Sequence, residues 1–133
     1  MMTQVIDKCS STPTGKRVML VEGDFAVANS TAMLLELDGY KVCVANTGYA
    51  ALEQISTFRP QVVLLCISLK GMDGFETATR LRELSEFRGF CMVAVTGYSD
   101  EETRVRALAS GCDHVLVKPF TFDKLRGLLT AVI

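Results

Sequence analysis

No stretch of this chain is apolar for long enough to span a membrane. Nothing between Met1 and Gly15 has the apolar core of a signal peptide, so a cytoplasmic location is expected. Charge of one sign is also missing. Fourteen Lys and Arg against fifteen Asp and Glu leave a net charge of −1, with no run of either kind. Without a basic stripe the chain offers no nucleic-acid footprint and no electrostatic membrane dock, and neither partner is expected. The five cysteines, Cys9, Cys43, Cys66, Cys91 and Cys112, contain no C-x-x-C pair, and His114 is the sole histidine. A zinc site is therefore not expected, and cysteines other than Cys66 read as small buried or tail residues. His114 reads as an exposed strand residue. Internal repeats are absent. The polar stretch 1–15, with Ser10-Ser11-Thr12-Pro13-Thr14-Gly15, reads as a flexible leader before one domain over 16–133.

What is present is organised around Val62-Val63-Leu64-Leu65-Cys66. Unbroken apolarity without alternation predicts a strand buried on both faces, ending in a thiol. Five apolar runs alternate with five helical patterns. The strands are predicted at 17–21, 40–45, 61–66, 90–95 and 113–117. Asp24 caps a first helix to about Asp38, with Val27, Leu34 and Leu37 near one face and Gly39 as its stop. Thr47 caps a second helix carrying Ala51, Leu52, Ile55 and Phe58, ended by Pro60. A third runs from Gly74 to Glu86 with Ala78, Leu81 and Leu84 inward. Ser99 or Asp100 caps a fourth, with Val105, Leu108 and Ala109 inward. Thr121 caps a fifth, with Phe122, Leu125, Leu128, Leu129 and Val132 on one side. This alternation predicts an α/β domain: a parallel sheet with right-handed crossovers and helices on both faces. A crevice at the carboxyl ends of its strands would gather Glu22-Gly23-Asp24, Cys66, Thr96-Gly97 and Lys118-Pro119.

Several segments carry a resemblance. They are V-M-L-V-E-G-D, L-E-L-D-G-Y-K-V, L-L-C-I-S-L-K-G-M-D-G, V-A-V-T-G-Y-S and G-C-D-H-V-L-V-K-P-F, in that order. Across nearly all of 16–133 the chain resembles the receiver domain of bacterial response regulators. The resemblance implies a flavodoxin-like (βα)5 fold, doubly wound, with strand order 2-1-3-4-5. It implies signalling by phosphorelay, with a histidine kinase, a phosphotransfer protein or an output domain as partner. A homodimer through the fourth helix, fifth strand and fifth helix is also implied. In that family an aspartate ending the third strand accepts a phosphoryl group, and an acidic pair after the first strand holds magnesium. A threonine or serine and a lysine contact the phosphoryl group, and an aromatic residue in the fifth strand acts as a switch.

Thr96, Lys118 and Pro119 match that pattern, and Glu22 matches the first acid in type. Cys66 occupies the phosphoacceptor position, Gly23 the second acid, Lys70 a usual proline and Val115 the switch aromatic. A thiol supplies neither the oxygen nucleophile nor a hard ligand, and Gly23 removes a second ligand. Magnesium is expected to bind weakly at best, through Glu22 and Asp24, and no cofactor is expected. Asp24 is better placed as a helix cap. The expectation is a degenerate receiver, not an enzyme, that works through protein contacts. A redox-responsive receiver with a Cys66 thiolate held by Lys118 is the alternative. A cysteinyl-phosphate would ordinarily want a loop of phosphate-cradling amides, which is not evident. A flavin-type site is disfavoured by the acids of Glu22-Gly23-Asp24-Phe25-Ala26.

Overall fold

The computed structural model describes residues 15–84 and 89–133. The predicted leader up to Thr14, with Cys9, lies outside these residues. So do the predicted end of the third helix at Glu86 and the side chain of Leu84.

Five strands form one parallel sheet: β1 (Arg17–Val21), β2 (Lys41–Ala45), β3 (Val62–Cys66), β4 (Cys91–Thr96) and β5 (His114–Val117). Their order is β2-β1-β3-β4-β5, the expected one. The helices between and after them are α1 (Phe25–Leu37), α2 (Gly48–Phe58), α3 (Gly74–Leu84), α4 (Glu101–Ala109) and α5 (Phe122–Val132). β3 lies between β1 and β4, and all five of its residues are buried, as its unbroken apolar run requires. Successive side chains point to opposite faces of the sheet and divide the core in two. Val18, Leu20, Leu64, Val93 and Leu116 pack with Ala28, Ala32 and Leu35 of α1 and Leu125 and Leu129 of α5. Met19, Val63, Leu65, Met92 and Ala94 pack with Ala51, Ile55, Ala78, Leu81 and Ala107 from α2, α3 and α4. Fully burying a side chain such as Leu129 contributes roughly 1.5–3 kcal/mol relative to leaving it in water.

Helix starts follow the predicted chemistry. Asp24, Thr47, Asp100 and Thr121 each accept a hydrogen bond from the third residue on, at 3.0–3.1 Å. The Asp73 carboxylate does the same for Glu76 at 2.9 Å. α2 ends at Arg59, whose φ of 52° is left-handed.

One helix face departs from expectation. Val105 and Leu108 of α4 are 53% and 43% exposed, and Ala109 is exposed as well. Only Ala107 is buried on this short helix, so the apolar periodicity there describes its outer side. On α1 Val27, Leu34 and Leu37 share one face, as expected, and it is the outer one; the buried residues are Ala28, Ala32 and Leu35. Two of the three buried positions are alanines, which let this helix lie close against the sheet.

A further tie was not legible in the sequence. Arg82 of α3 donates to the carbonyls of Phe90 and Gly111, each at 3.0 Å, and to the Asp113 carboxylate at 2.8 Å. Its guanidinium also lies 4.4 Å from the centre of the Phe90 ring. One side chain thus fixes α3 to the entrances of β4 and β5. Sequence periodicity shows Arg82 only as one more charge on a helix.

Candidate functional site

Parallel register levels the strand ends. Val21 pairs with Ala45 and Leu65, Cys66 with Val95, and Thr96 with Val117. The residues that end or follow these strands, Glu22, Cys66, Thr96 and Lys118, therefore meet at one edge of the sheet. Glu22 and Cys66 are each 7% exposed and Thr96 is 3% exposed. Glu22, Cys66 and Lys118, together with Val27, Thr31 and Phe120, line a cavity of about 40 Å³. A wider cleft of about 510 Å³ opens beside it, between Gly23, Asp24, Asn46, Thr47, Ser68 and Lys70.

Each polar group in this cluster already has a partner. The Lys118 ammonium lies 3.5 Å from Glu22 Oε1. The other Glu22 oxygen accepts from the Asp24 amide at 3.0 Å. The Glu22 backbone carbonyl accepts from Asn46 Nδ2 at 2.9 Å, so the loop after β1 is pinned to that after β2. Asp24 turns its carboxylate to the first turn of α1, where it accepts from the Val27 amide at 3.1 Å. Thr96 Oγ1 accepts from the Tyr98 amide at 3.0 Å, closing the turn after β4. The Thr96 carbonyl accepts from the Lys118 amide at 2.7 Å, which places Lys118 over the pocket.

Cys66 sits among these groups as a protonated thiol. Burial and the neighbouring Glu22 carboxylate push its pKa up. The contact of its Sγ with the Ser68 carbonyl, at 3.9 Å, and the charge of Lys118 pull the other way without reversing the shift. Burial likewise raises Cys43 and Cys91, and pushes Cys112 up to about 12. The sign is fixed by the proton: a raised thiol holds it longer in the folded chain. The stability tied to the neutral thiol is complete below the unfolded value, near 9, and is lost as pH rises through the folded one. Thiolate is the reactive form. Cys66 should therefore react with iodoacetamide at pH 7.5 about tenfold or more slowly than glutathione, and accelerate only above pH 9. Mass spectrometry of the alkylated peptide measures this, and a Cys66 that outpaces glutathione would contradict the assignment.

The donor set does not fit magnesium. A hard cation wants several oxygens in near-octahedral array. Here one Glu22 oxygen faces an ammonium and the other an amide, the Asp24 carboxylate caps a helix, Gly23 has no side chain and Cys66 keeps its proton. Among the described residues no three His, Cys, Asp or Glu side chains form a group able to hold a metal ion.

Val115 lies on β5 opposite Ala94, half-buried, beside a small hollow lined by Tyr98, Asp100, Arg104 and Val117. His114 is exposed. Gly23 has open surroundings: a Cβ there would meet only the Asn46 carbonyl at 3.6 Å and Leu69 Cδ2 at 3.9 Å. Sequence reading singled out the missing acid, but it did not reveal this room.

Known proteins share this arrangement of elements. The profile of the response regulator receiver domain matches residues 18–130. Response regulator MprA of Mycobacterium leprae is 31% identical over 117 residues, which are 88% of this chain and 50% of that protein. Transcriptional regulatory protein ZraR of Klebsiella oxytoca is 36% identical over 87% of this chain and 26% of its own length. The chain thus spans half or less of these curated relatives. Among solved structures, a CheY-like receiver domain protein from Methanospirillum hungatei superposes with a TM-score of 0.78 at 31% identity, covering 88% of this chain and 93% of that one. Chemotaxis protein CheY4 of Vibrio cholerae gives 0.83 at 25% identity, with coverage of 89% and 98%.

Proposed function

This chain belongs to the response regulator receiver domains of two-component signal transduction, and from that membership we propose that it is a receiver without phosphoryl chemistry. In this reading it signals through the partners it binds. The observation that carries the proposal is the thiol of Cys66, buried where the family's acceptor carboxylate stands, with Glu22 and Lys118 engaged with each other beside it; burial and Glu22 both push its pKa up. A neutral thiol is a poor acceptor and a poor magnesium ligand. The half-buried valine at position 115 supports the same reading, since the aromatic switch is missing along with the acceptor. No magnesium or other cofactor is needed for this role, and the domain works without catalysis.

Receiver domains meet histidine kinases and output domains. For this chain we place that contact on α4, β5 and α5, where Val105 and Leu108 stand exposed beside Arg104. The implied homodimer on that face belongs to the same proposal. So does a cytoplasmic location; no helix among the described residues is long and apolar enough to cross a membrane. The redox alternative needs a thiolate at Cys66. Burial and Glu22 oppose one, and Lys118, its proposed stabiliser, is paired with Glu22.

The test is to add magnesium with beryllofluoride, or with acetyl phosphate, to the native chain and follow the amide resonances. No shift at Glu22, Cys66, Thr96 or Lys118 is expected. Saturating shifts that spread from Cys66 into β5 would sink the proposal.

A further inference from the structure

The cleft of about 510 Å³ beside Cys66 lies within the range of small-molecule pockets, about 300–1,000 Å³. Two of the chain's departures from the receiver pattern meet in its wall: Gly23, where an acid is usual, and Lys70, where a proline is usual. Together they change the sign of the ligand that the cleft suits. Gly23 removes a carboxylate and Lys70 adds an ammonium. Among the described residues that ammonium has no ion pair and no hydrogen-bond partner. The two acids left in the wall are already engaged. Glu22 meets Lys118 at 3.5 Å and the Asp24 amide at 3.0 Å, and the Asp24 carboxylate caps α1. α1 and α2 both start at the cleft, with Asp24 and Thr47 as their caps, and their dipoles favour negative charge there. An anionic group entering the cleft has Lys70 as its ionic partner.

The rest of the wall indicates what the anion is attached to. Phe25 is 69% exposed at the rim and offers a ring on which a flat aromatic group can stack. Asn46 uses Nδ2 on the Glu22 carbonyl, which leaves Oδ1 to accept from a ligand. The Ser68 hydroxyl has no partner among the described residues, so it can donate or accept. A cation, an exposed ring and two neutral hydrogen-bonding groups around one concavity match the parts of a nucleotide: phosphate, base and sugar. Bare phosphate would meet the cation and leave most of the cleft empty.

We propose that this cleft binds a nucleoside monophosphate, with the phosphate on Lys70 and the base against Phe25. The site is one of recognition, and no bond forms or breaks in it. The test adds adenosine monophosphate to the native chain in EDTA and follows the amide resonances. EDTA removes magnesium, so no phosphoryl transfer contributes, and a negative result leaves the reading of Cys66 untouched. Shifts that saturate, with half-effect below about 1 mM, are expected at Gly23, Asn46, Ser68 and Lys70. Adenosine alone and inorganic phosphate alone should each bind about tenfold more weakly or worse. Lys70→Gln should weaken binding about tenfold by removing a charge-assisted contact, and Phe25→Ala by a similar factor by removing the stack. Gly23→Asp should abolish binding by setting a carboxylate against the phosphate. Gly23→Ala should retain it, since a Cβ there makes only ordinary contacts, and so separates charge from crowding. A native-like amide spectrum shows that each variant is folded. No saturation up to about 10 mM, shifts confined to residues outside the cleft, or equal binding of adenosine or inorganic phosphate alone would each overturn the proposal. So would an affinity unchanged in Lys70→Gln, Phe25→Ala or Gly23→Asp.

Discussion

Gly74→Ala should destabilise the domain by about 3 kcal/mol or more, a large part of what holds a domain of this size folded. The first residue of α3 lies against the end of β3. Its amide donates to the Ile67 carbonyl at 3.0 Å. A Cβ at this position would run into the Cα of Ile67 and stand 2.8 and 2.9 Å from the carbonyl oxygens of Cys66 and Ile67. These are backbone atoms of the central strand's exit, so no rotamer change relieves the contact. Either α3 lifts away, opening the packing of Ala78 and Leu81, or the strand end shifts and carries Cys66 with it. Urea titration would show the effect as a lower midpoint at nearly unchanged slope. A midpoint within experimental error of the native one would mean that the β3–α3 junction yields easily.

Cys66→Asp combined with Gly23→Asp should create magnesium binding where the native chain is expected to show none. Gly23, unlike Gly74, has room. Its Cβ would make only ordinary contacts, and the new carboxylate would stand at the mouth of the cleft beside Asn46 and Ser68. The carboxylate at position 66 would join Glu22 and compete with it for Lys118. Three acids around one small cavity repel one another, so the variant should be less stable than the native chain without metal. It should recover when magnesium is added. At a concentration 100-fold above the dissociation constant the gain is about 2.7 kcal/mol. Beryllofluoride should then shift amides near positions 22, 66, 96 and 118. Thermal melts of variant and native chain, with and without magnesium, read both effects. A variant indifferent to magnesium would mean that the scaffold around the pocket, and not only two side chains, departs from a phosphorylatable receiver.

Much of this molecule is legible in its residues. The apolar run 62–66 announces a strand buried on both faces, and Asp24, Thr47, Asp100 and Thr121 announce their helices by chemistry that acts within a single turn. The pocket residues follow, because parallel strands with short connections bring their carboxyl ends to one edge. Helix orientation was harder to read. In α1 apolar residues occur on every side, and periodicity cannot choose among faces when polar residues do not mark the outside. In α4 the helix is short and one alanine makes its buried contact, so the larger apolar residues mislead. Contacts such as those of Arg82 depend on backbone carbonyls from distant loops, which leave no trace in local sequence. The partners of Glu22 and Lys118 belong to the same class, as they meet only through the sheet.

That last meeting bears on how the chain folds. Glu22 and Lys118 are neighbours in space but separated by most of the domain along the chain. None of the four segments around Cys66 can form the pocket with its sequence neighbours alone. Closing such distant contacts costs chain entropy before any of them is rewarded. The pocket therefore comes into being only once β1, β3, β4 and β5 are all in register, and a partially folded chain presents no version of it. A partner that reads this edge of the sheet thereby distinguishes finished molecules from unfinished ones, whether or not any chemistry takes place there.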